Sequence, residues 1–358
     1  MNSVRSQISF FTSPIGLGHA TRDLAIAQKI LLNTNEINIK FITGSSAYKF
    51  LSESEFSTRD LYDPPNFIIK NGKLDKSFLW LIKYFLYYKK CKDIAKTIID
   101  SKITENNLIL SDEDFASISV AKDLDKKRIL ITDVLSTDFT KGIYSLFEKK
   151  MNQKMKQIIK NCNYVIIPDY GQDIDNIKYV GPIVRDISET RDVLRKKFKF
   201  NKKTVILSIG GTNSGKFLID RTIQVFKKLR KKLDIDLVIS SGPSLKMKPY
   251  ECFRYIGYVN NLNEYIFAAD LVISLAGRST MDEALIYETP GIFIPIKNHF
   301  EQEKCAKRLG YEFEDVYRLD NLIEEKVTTL NFENNKPRLK IKQNNGAQKA
   351  VSIISRLL

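Results

Sequence analysis

Short, largely apolar runs alternate along this chain with stretches of helical period. In the first half, Gln7–Thr12, Asn38–Thr43, Asn107–Leu110, Arg128–Thr132 and Tyr164–Pro168 read as buried strands bounded by turn residues. Between the first two, Ala20–Leu32 places Ala20, Leu24, Ala27 and Leu31 on one helical face. The pattern restarts in the second half. There Thr204–Ile209, Leu237–Ile239, Phe253–Gly257, Leu271–Leu275 and Ile292–Pro295 read as strands, and Ser279–Tyr287 as a helix ended by Pro290 and Gly291. Apolar strands separated by helices predict an α/β chain with parallel sheets in two halves. Tyr179–Arg185 reads as the crossing between halves, Asn331–Asn345 as a polar loop and Ala347–Leu358 as a final helix.

Parallel sheets bind ligands at the carboxyl ends of their strands, so the loops there carry the candidate chemistry. Gly277–Thr280 precedes a helix start, where backbone N–H groups and the helix dipole suit a phosphate. Glu283 lies one turn in, placed either to accept from sugar hydroxyls or to close a capping box with Thr280. His299, Glu301 and Gln302 follow the next strand. In the first half, Gly16-x-Gly18 suits a phosphate or close backbone approach, with His19 and Arg22 next. A third glycine is missing, and the second strand ends Phe41-Ile42-Thr43-Gly44 without an acid, so a dinucleotide fingerprint is excluded. Ser111-Asp112-Glu113-Asp114 either favours a helix start or offers a carboxylate to substrate. Gly210 to Lys216 nearly matches a P-loop, but Phe217 stands where a metal-binding hydroxyl is needed. The D-x-D triplets at 112–114, 123–125, 173–175 and 234–236 end no strand beside the second-half glycine loops, so no metal is expected.

Composition narrows the partners. The 358 residues suffice for two ordinary domains, and 57 Lys+Arg against 42 Asp+Glu leave a net charge of +15. That excess suits anionic lipid or phosphorylated substrates; nucleic acid is set aside because no zinc-finger or RRM signature appears. Ser77–Lys92 (SFLWLIKYFLYYKKCK) mixes Trp80, Tyr84, Phe85, Tyr87 and Tyr88 with lysines, as in a helix lying in a membrane interface; a helix buried on most sides is the alternative. No apolar run reaches the roughly 20 residues of a membrane span. No signal peptide is expected ahead of the first strand. Cys91, Cys162, Cys252 and Cys305 are scattered, as reduced cytosolic thiols would be.

Gly16-Leu17-Gly18-His19, Gly210-Gly211-Thr212, Ala276-Gly277-Arg278-Ser279-Thr280 with Glu283, and His299 to Gln302 occur in the order and spacing of a known family. In these the chain resembles the MurG-like glycosyltransferases of family 28, nearest to the archaeal and eukaryotic enzymes that build lipid-diphosphate chitobiose. The resemblance implies a GT-B fold: an acceptor- and membrane-side domain over 1–180, a UDP-sugar domain over 181–345, and a helix over 346–358 returning to the first domain. It implies a metal-independent, inverting transfer of N-acetylglucosamine from UDP-GlcNAc to a lipid-diphosphate sugar, without a cofactor, on the cytoplasmic face of a membrane. Gly210, Gly211 and Thr212 would approach the nucleotide-sugar, with Tyr258 and Val259 near uracil. Gly277, Arg278, Ser279 and Thr280 would receive the diphosphate, and Arg185 would face it. Glu283 would take the ribose, and His299, Glu301 and Gln302 the donor side. Gly16, Gly18 and Arg22 would meet the acceptor, with His19 and Glu113 as the catalytic residues. A UDP-sugar hydrolase, a 2-epimerase and a non-catalytic nucleotide-sugar-binding subunit stay open as alternatives.

Overall fold

The computed structural model describes residues 6–34, 36–100, 107–211, 213–245, 253–333 and 346–358. In chain order its first elements are β1 (Gln7–Thr12), α1 (Gly18–Asn33), β2 (Asn38–Thr43), α2 (Ser45–Leu51) and β3 (Ser57–Asp60). A hairpin, β4 (Ile68–Lys70) and β5 (Lys73–Asp75), precedes α3 (Ser77–Ile99). Next come β6 (Asn107–Asp112), α4 (Phe115–Asp123), β7 (Arg128–Ile131), α5 (Ser145–Lys160), β8 (Tyr164–Ile167) and β9 (Ile177–Tyr179). The second half runs α6 (Arg191–Lys197), β10 (Lys203–Ser208), α7 (Lys216–Leu229), β11 (Ile235–Ser240), β12 (Arg254–Tyr255), α8 (Leu262–Ala268), β13 (Leu271–Leu275) and α9 (Arg278–Ile286). It closes with β14 (Gly291–Ile294), α10 (Phe300–Arg308), α11 (Leu319–Glu333) and α12 (Gly346–Ile354).

The chain divides into two compact units. The first comprises Met1–Phe67, Lys76–Val184 and Asn344–Leu358; the second comprises Ile68–Asp75 and Arg185–Gln343. The difference from a single division near residue 180 has a physical reason. The β4–β5 hairpin pairs its backbone with Lys297 and rests its tip on Phe217 and Phe313, all second-unit residues.

The first unit holds a seven-stranded parallel sheet in the order β3-β2-β1-β6-β7-β8-β9. Its central strands are largely apolar because both faces are covered. Successive side chains point to opposite faces, so Phe10 packs with α1 and α12, whereas Phe11 packs with Ile42, Ile109 and the α3–α4 side. Ala347, Ala350, Val351 and Ile354 of α12 complete the first of these cores. The register pairs Thr12 with Asp112, bringing the ends of β1 and β6 side by side. β6 runs through Asp112, two residues beyond the strand that the sequence suggests, so this carboxylate belongs to the strand and not to the helix that follows.

On α3, Trp80, Leu81, Cys91, Ala95 and Ile99 are buried. The outer face leaves Leu79 49% and Leu86 59% exposed, so the helix is not buried on most sides. Neighbouring rings join it to the start of α5: Phe78 lies 4.3 Å from Tyr144 and Phe85 6.1 Å from Phe147, ring centre to ring centre. Ile143 and Leu146 there are also exposed. Among the described residues, no helix is long and apolar enough to cross a membrane.

The second unit holds a five-stranded parallel sheet in the order β12-β11-β10-β13-β14. Asp236 falls inside β11 rather than before it. β13 is buried along its whole length between flanking helices, and its carboxyl end opens into Gly277 and α9.

Candidate functional site

In the first unit the ends of β1, β6 and β7 assemble a charged cluster. After β1 the chain turns through Gly16, whose φ of +84° suits glycine, and enters α1 at Gly18. His19 and Arg22 lie three residues apart on one helix face, directed at Asp112. His19 Nδ1 lies 3.0 Å from Asp112 Oδ1. Arg22 donates from Nε and Nη2 to the two Asp112 oxygens, both at 2.5 Å, and from Nη1 to Asp133 Oδ1 at 2.6 Å. Arg22 is 5% exposed and Asp112 fully buried, so each needs the other's charge. Thr12 Oγ1 donates to Asp23 Oδ2 at 2.7 Å behind them.

Burial alone would depress the His19 imidazole, but the Asp112 carboxylate and its hydrogen bond outweigh burial and the Arg22 charge, and the net shift is upward. Burial would raise Asp112, yet Arg22 and His19 hold it well below the ordinary carboxylate range. Burial and the neighbouring Asp112 charge push Asp23 well up. Arg22 Nη2 lies 3.1 Å from the same Nδ1, and in the tautomer that donates from Nδ1 to Asp112 the other ring nitrogen, Nε2, carries the lone pair of a base.

The three acids after Ser111 have three different duties. Asp112 pairs with His19 and Arg22. Glu113 adopts a φ of +58°, and its Oε1 accepts from Thr132 Oγ1 at 2.5 Å and Asp133 N at 2.7 Å. Burial, then Asp133, raise its carboxyl. Only Asp114 caps α4, accepting from Ala116 N at 3.1 Å while Tyr62 donates to its other oxygen. The sequence named Glu113 with His19 as catalytic candidates; the acid that touches the imidazole is Asp112. Asp133 carried no signal, because it stands alone beyond its strand.

The second unit's site is built largely from backbone. Gly210 has a φ of +75°, and neither it nor Gly277 has any neighbour within 4 Å of where a Cβ would stand, leaving both open to close approach. A Cβ on Gly242, after β11, would fall 2.0 Å from the Gly210 carbonyl oxygen, and Ser244 Oγ donates to the Gly211 oxygen at 2.6 Å. This bracing loop was missed in the sequence. Thr212 lies outside the described residues.

α9 begins at Arg278, so Arg278, Ser279 and Thr280 form its first turn. Its N-cap is Gly277, and no side chain caps it. Thr280 is therefore inside the helix, and Glu283 closes no capping box. Glu283 instead accepts from Arg185 Nε at 3.1 Å and Nη2 at 2.9 Å, while Arg185 Nη1 donates to the Asn260 carbonyl at 2.6 Å. Tyr287 donates to the Arg185 carbonyl at 2.7 Å. The structure thus ties Arg185 to Glu283 and to the 258–261 loop that carries Tyr258 and Val259. Arg278 pairs with Asp282 at 3.1 Å. Gln302 Oε1 accepts from Ile296 N at 3.0 Å, closing the turn that carries His299, with Glu301 in the first turn of α10. Burial pushes the His299 imidazole down to about 4, so it is neutral near pH 7. Among the described residues no group of three or more His, Cys, Asp or Glu could hold a metal ion.

Two parallel sheets with this connectivity and these strand-end loops define the GT-B fold, and solved structures agree. MurG of Acinetobacter baumannii matches over 98% of this chain and 99% of its own, with TM-score 0.58 at 14% identity. Residues 205–357 of the chain match the glycosyltransferase family 28 C-terminal domain. An uncharacterized glycosyltransferase of Methanopyrus kandleri is 27% identical over 56% of this chain and 60% of its own length. The UDP-N-acetylglucosamine–N-acetylmuramyl-(pentapeptide) pyrophosphoryl-undecaprenol N-acetylglucosamine transferase 3 of Bacillus cereus is 27% identical over 64% of each. The matches thus span less than two thirds of these two relatives.

Proposed function

We propose that the chain is an inverting, metal-independent transferase that moves N-acetylglucosamine from UDP-GlcNAc to a lipid-diphosphate sugar, in assembly of a lipid-linked glycan precursor. The observation that carries this reading is the His19–Asp112 pair at 3.0 Å, at the carboxyl end of the first unit's sheet. Nε2 takes the proton of an acceptor hydroxyl as its oxygen attacks the anomeric carbon. The bond from that carbon to the UDP oxygen breaks, and UDP departs with the electron pair. The first turn of α9 and Arg278 meet the charge that develops on the diphosphate, without a metal. Glu283 receives the ribose hydroxyls, and its ion pair with Arg185 brings a positive charge to the same place. Tyr258 and Val259 border the base, Gly210, Gly211 and Thr212 the nucleotide-sugar, and His299, Glu301 and Gln302 the donor sugar. Gly16, Gly18 and Arg22 frame the acceptor, with Glu113 beside it.

The membrane partner rests on α3. Leu79, Ile82 and Leu86, with Ile143 and Leu146 beyond them, form an exposed apolar group that Lys83, Lys89 and Lys90 accompany. A peripheral position on the cytoplasmic face of an anionic membrane suits both that surface and a lipid acceptor.

The test is UDP release from UDP-GlcNAc with and without a lipid-diphosphate sugar. Release should depend on the acceptor, and His19→Ala should lower turnover by about 10²–10⁴-fold, the range for a general base. Equal release without acceptor makes the protein a hydrolase, and full activity in His19→Ala removes the base.

A further inference from the structure

The β4–β5 hairpin comes from the first half of the sequence yet is built into the second unit. Its backbone is zipped to one residue of the turn after β14: Leu74 N donates to the Lys297 oxygen at 2.8 Å, and Lys297 N donates to the Gly72 oxygen at 2.9 Å. Leu74 and Gly72 are buried. At the tip, a Cβ on Gly72 would stand 2.7 Å from the Phe313 ring and 2.9 Å from the Phe217 ring, so both aromatics close directly on the glycine backbone. Lys297 itself lies over the Phe313 ring and pairs with Glu314.

These contacts fall on both sides of one strand end. Phe217 is the second residue of α7, which follows the Gly210–Gly215 loop after β10; Lys297 follows β14. The sheet order β10-β13-β14 sets the β13–α9 turn, with Gly277 and Arg278, between them. The turn held by the hairpin includes Asn298 at a φ of +67° and leads through His299 into α10, which carries Gln302.

We infer that the Ile68–Asp75 hairpin is a positioning element of the nucleotide-sugar site. By tying Lys297 and Phe217 together across the end of β13, it fixes the spacing between the two loops that flank the diphosphate position. Gly72 and Leu74 act through Phe217 and Lys297 and touch no ligand themselves. This rests on the reading that the second unit binds a UDP-sugar.

The experiment compares UDP binding by calorimetry, and KM and kcat for UDP-GlcNAc, in the full chain. Three variants serve: Gly72→Asn, which tolerates the positive φ but drives a Cβ into two rings; an equal-length Gly/Ser replacement of Ile69–Leu74; and Lys70→Ala on the hairpin's exposed side. The first two should weaken UDP binding and raise KM by about 10–100-fold, the scale of an ångström-sized misplacement, with kcat at saturating donor within about threefold. Lys70→Ala should match the parent. If the parent binds UDP and folded Gly72→Asn and Gly/Ser variants bind it equally well, the hairpin has no positioning role and the donor reading survives. If the parent binds no UDP, the donor reading itself fails and takes the hairpin's role with it. Should both variants unfold, hydrogen exchange in the parent decides. Saturating UDP should slow the Leu74 and Lys297 amides together, and unchanged exchange there overturns the proposal.

Discussion

Asp112→Asn tests the core of the mechanism, because it changes one charge with little change of shape. Asp112 lies 3.0 Å from the His19 nitrogen. A full charge at that distance is worth about 5 kcal/mol at an effective dielectric constant of about 20, enough to outweigh burial and the repulsion from Arg22. Without it, burial and Arg22 dominate, with only Glu113 acting the other way. The imidazole should then fall from above its ordinary value of about 6.5 to below it. The sign is unambiguous. In the parent, the base form grows in as pH rises through the raised value, so the acid limb of kcat/KM lies above about pH 6.5. In Asp112→Asn that limb should move to lower pH. Turnover at the plateau should drop by about 10²-fold, because the base is weaker and its ring has lost the charged acceptor that orients it. Arg22 keeps Asp133 at 2.6 Å, so the stability loss should sit near the low end for a broken buried pair, about 3 kcal/mol. The assay is a pH–rate series at a temperature where both melts show folded protein. An acid limb that stays in place, or moves upward, would falsify the assignment of Asp112 as the partner of the base.

Glu283→Gln should weaken UDP binding by about 1–3 kcal/mol, read by calorimetry, since a buried charged acceptor is lost; an unchanged affinity with a lowered melting temperature would leave only the ion pair with Arg185. Replacing Lys83, Lys89 and Lys90 with Glu should abolish sedimentation with anionic vesicles while circular dichroism holds, and raised salt should release the parent in the same assay. If the parent ignores vesicles, the exposed apolar group on α3 has another partner.

The fold was legible where burial acts on both faces of a strand. β1, β2 and β13 have the bounds that the sequence suggests, because strands covered by helices on both faces are largely apolar and stand out between turn residues. β3, with the sequence Ser-Thr-Arg-Asp, and the three-residue strands of the hairpin escaped notice, since their side chains are mostly outside and their pairing partners are remote. The site was half legible for a similar reason. Glycines, a histidine and a helix start can be recognised at strand ends one at a time. Which of Asp112, Glu113 and Asp114 reaches His19 depends on the register of β1 against β6, and a sequence of neighbouring acids holds no record of that register. Arg185 and Glu283 stand 98 positions apart and meet only through folding.

In the proposed mechanism the two units divide the chemistry by the kind of group each uses, and this has a consequence for pH. The first unit's site is made of side-chain charges: a histidine raised by its carboxylate, an arginine shared between two acids, and a glutamate raised by burial and a neighbouring acid. The second unit's site is made mainly of backbone, from the open Gly210 and Gly277 to the first turn of α9. Its one histidine is held down at about 4 and stays neutral through the physiological range. Peptide dipoles do not titrate. The affinity for UDP-GlcNAc, whose diphosphate is fully ionised there, should therefore stay level as pH rises through the raised His19 value and turnover climbs. Calorimetry with the sugar nucleotide, run beside the pH–rate series, separates the two. An affinity that climbed in step with turnover would move the titrating group from the first unit's cluster into the donor site.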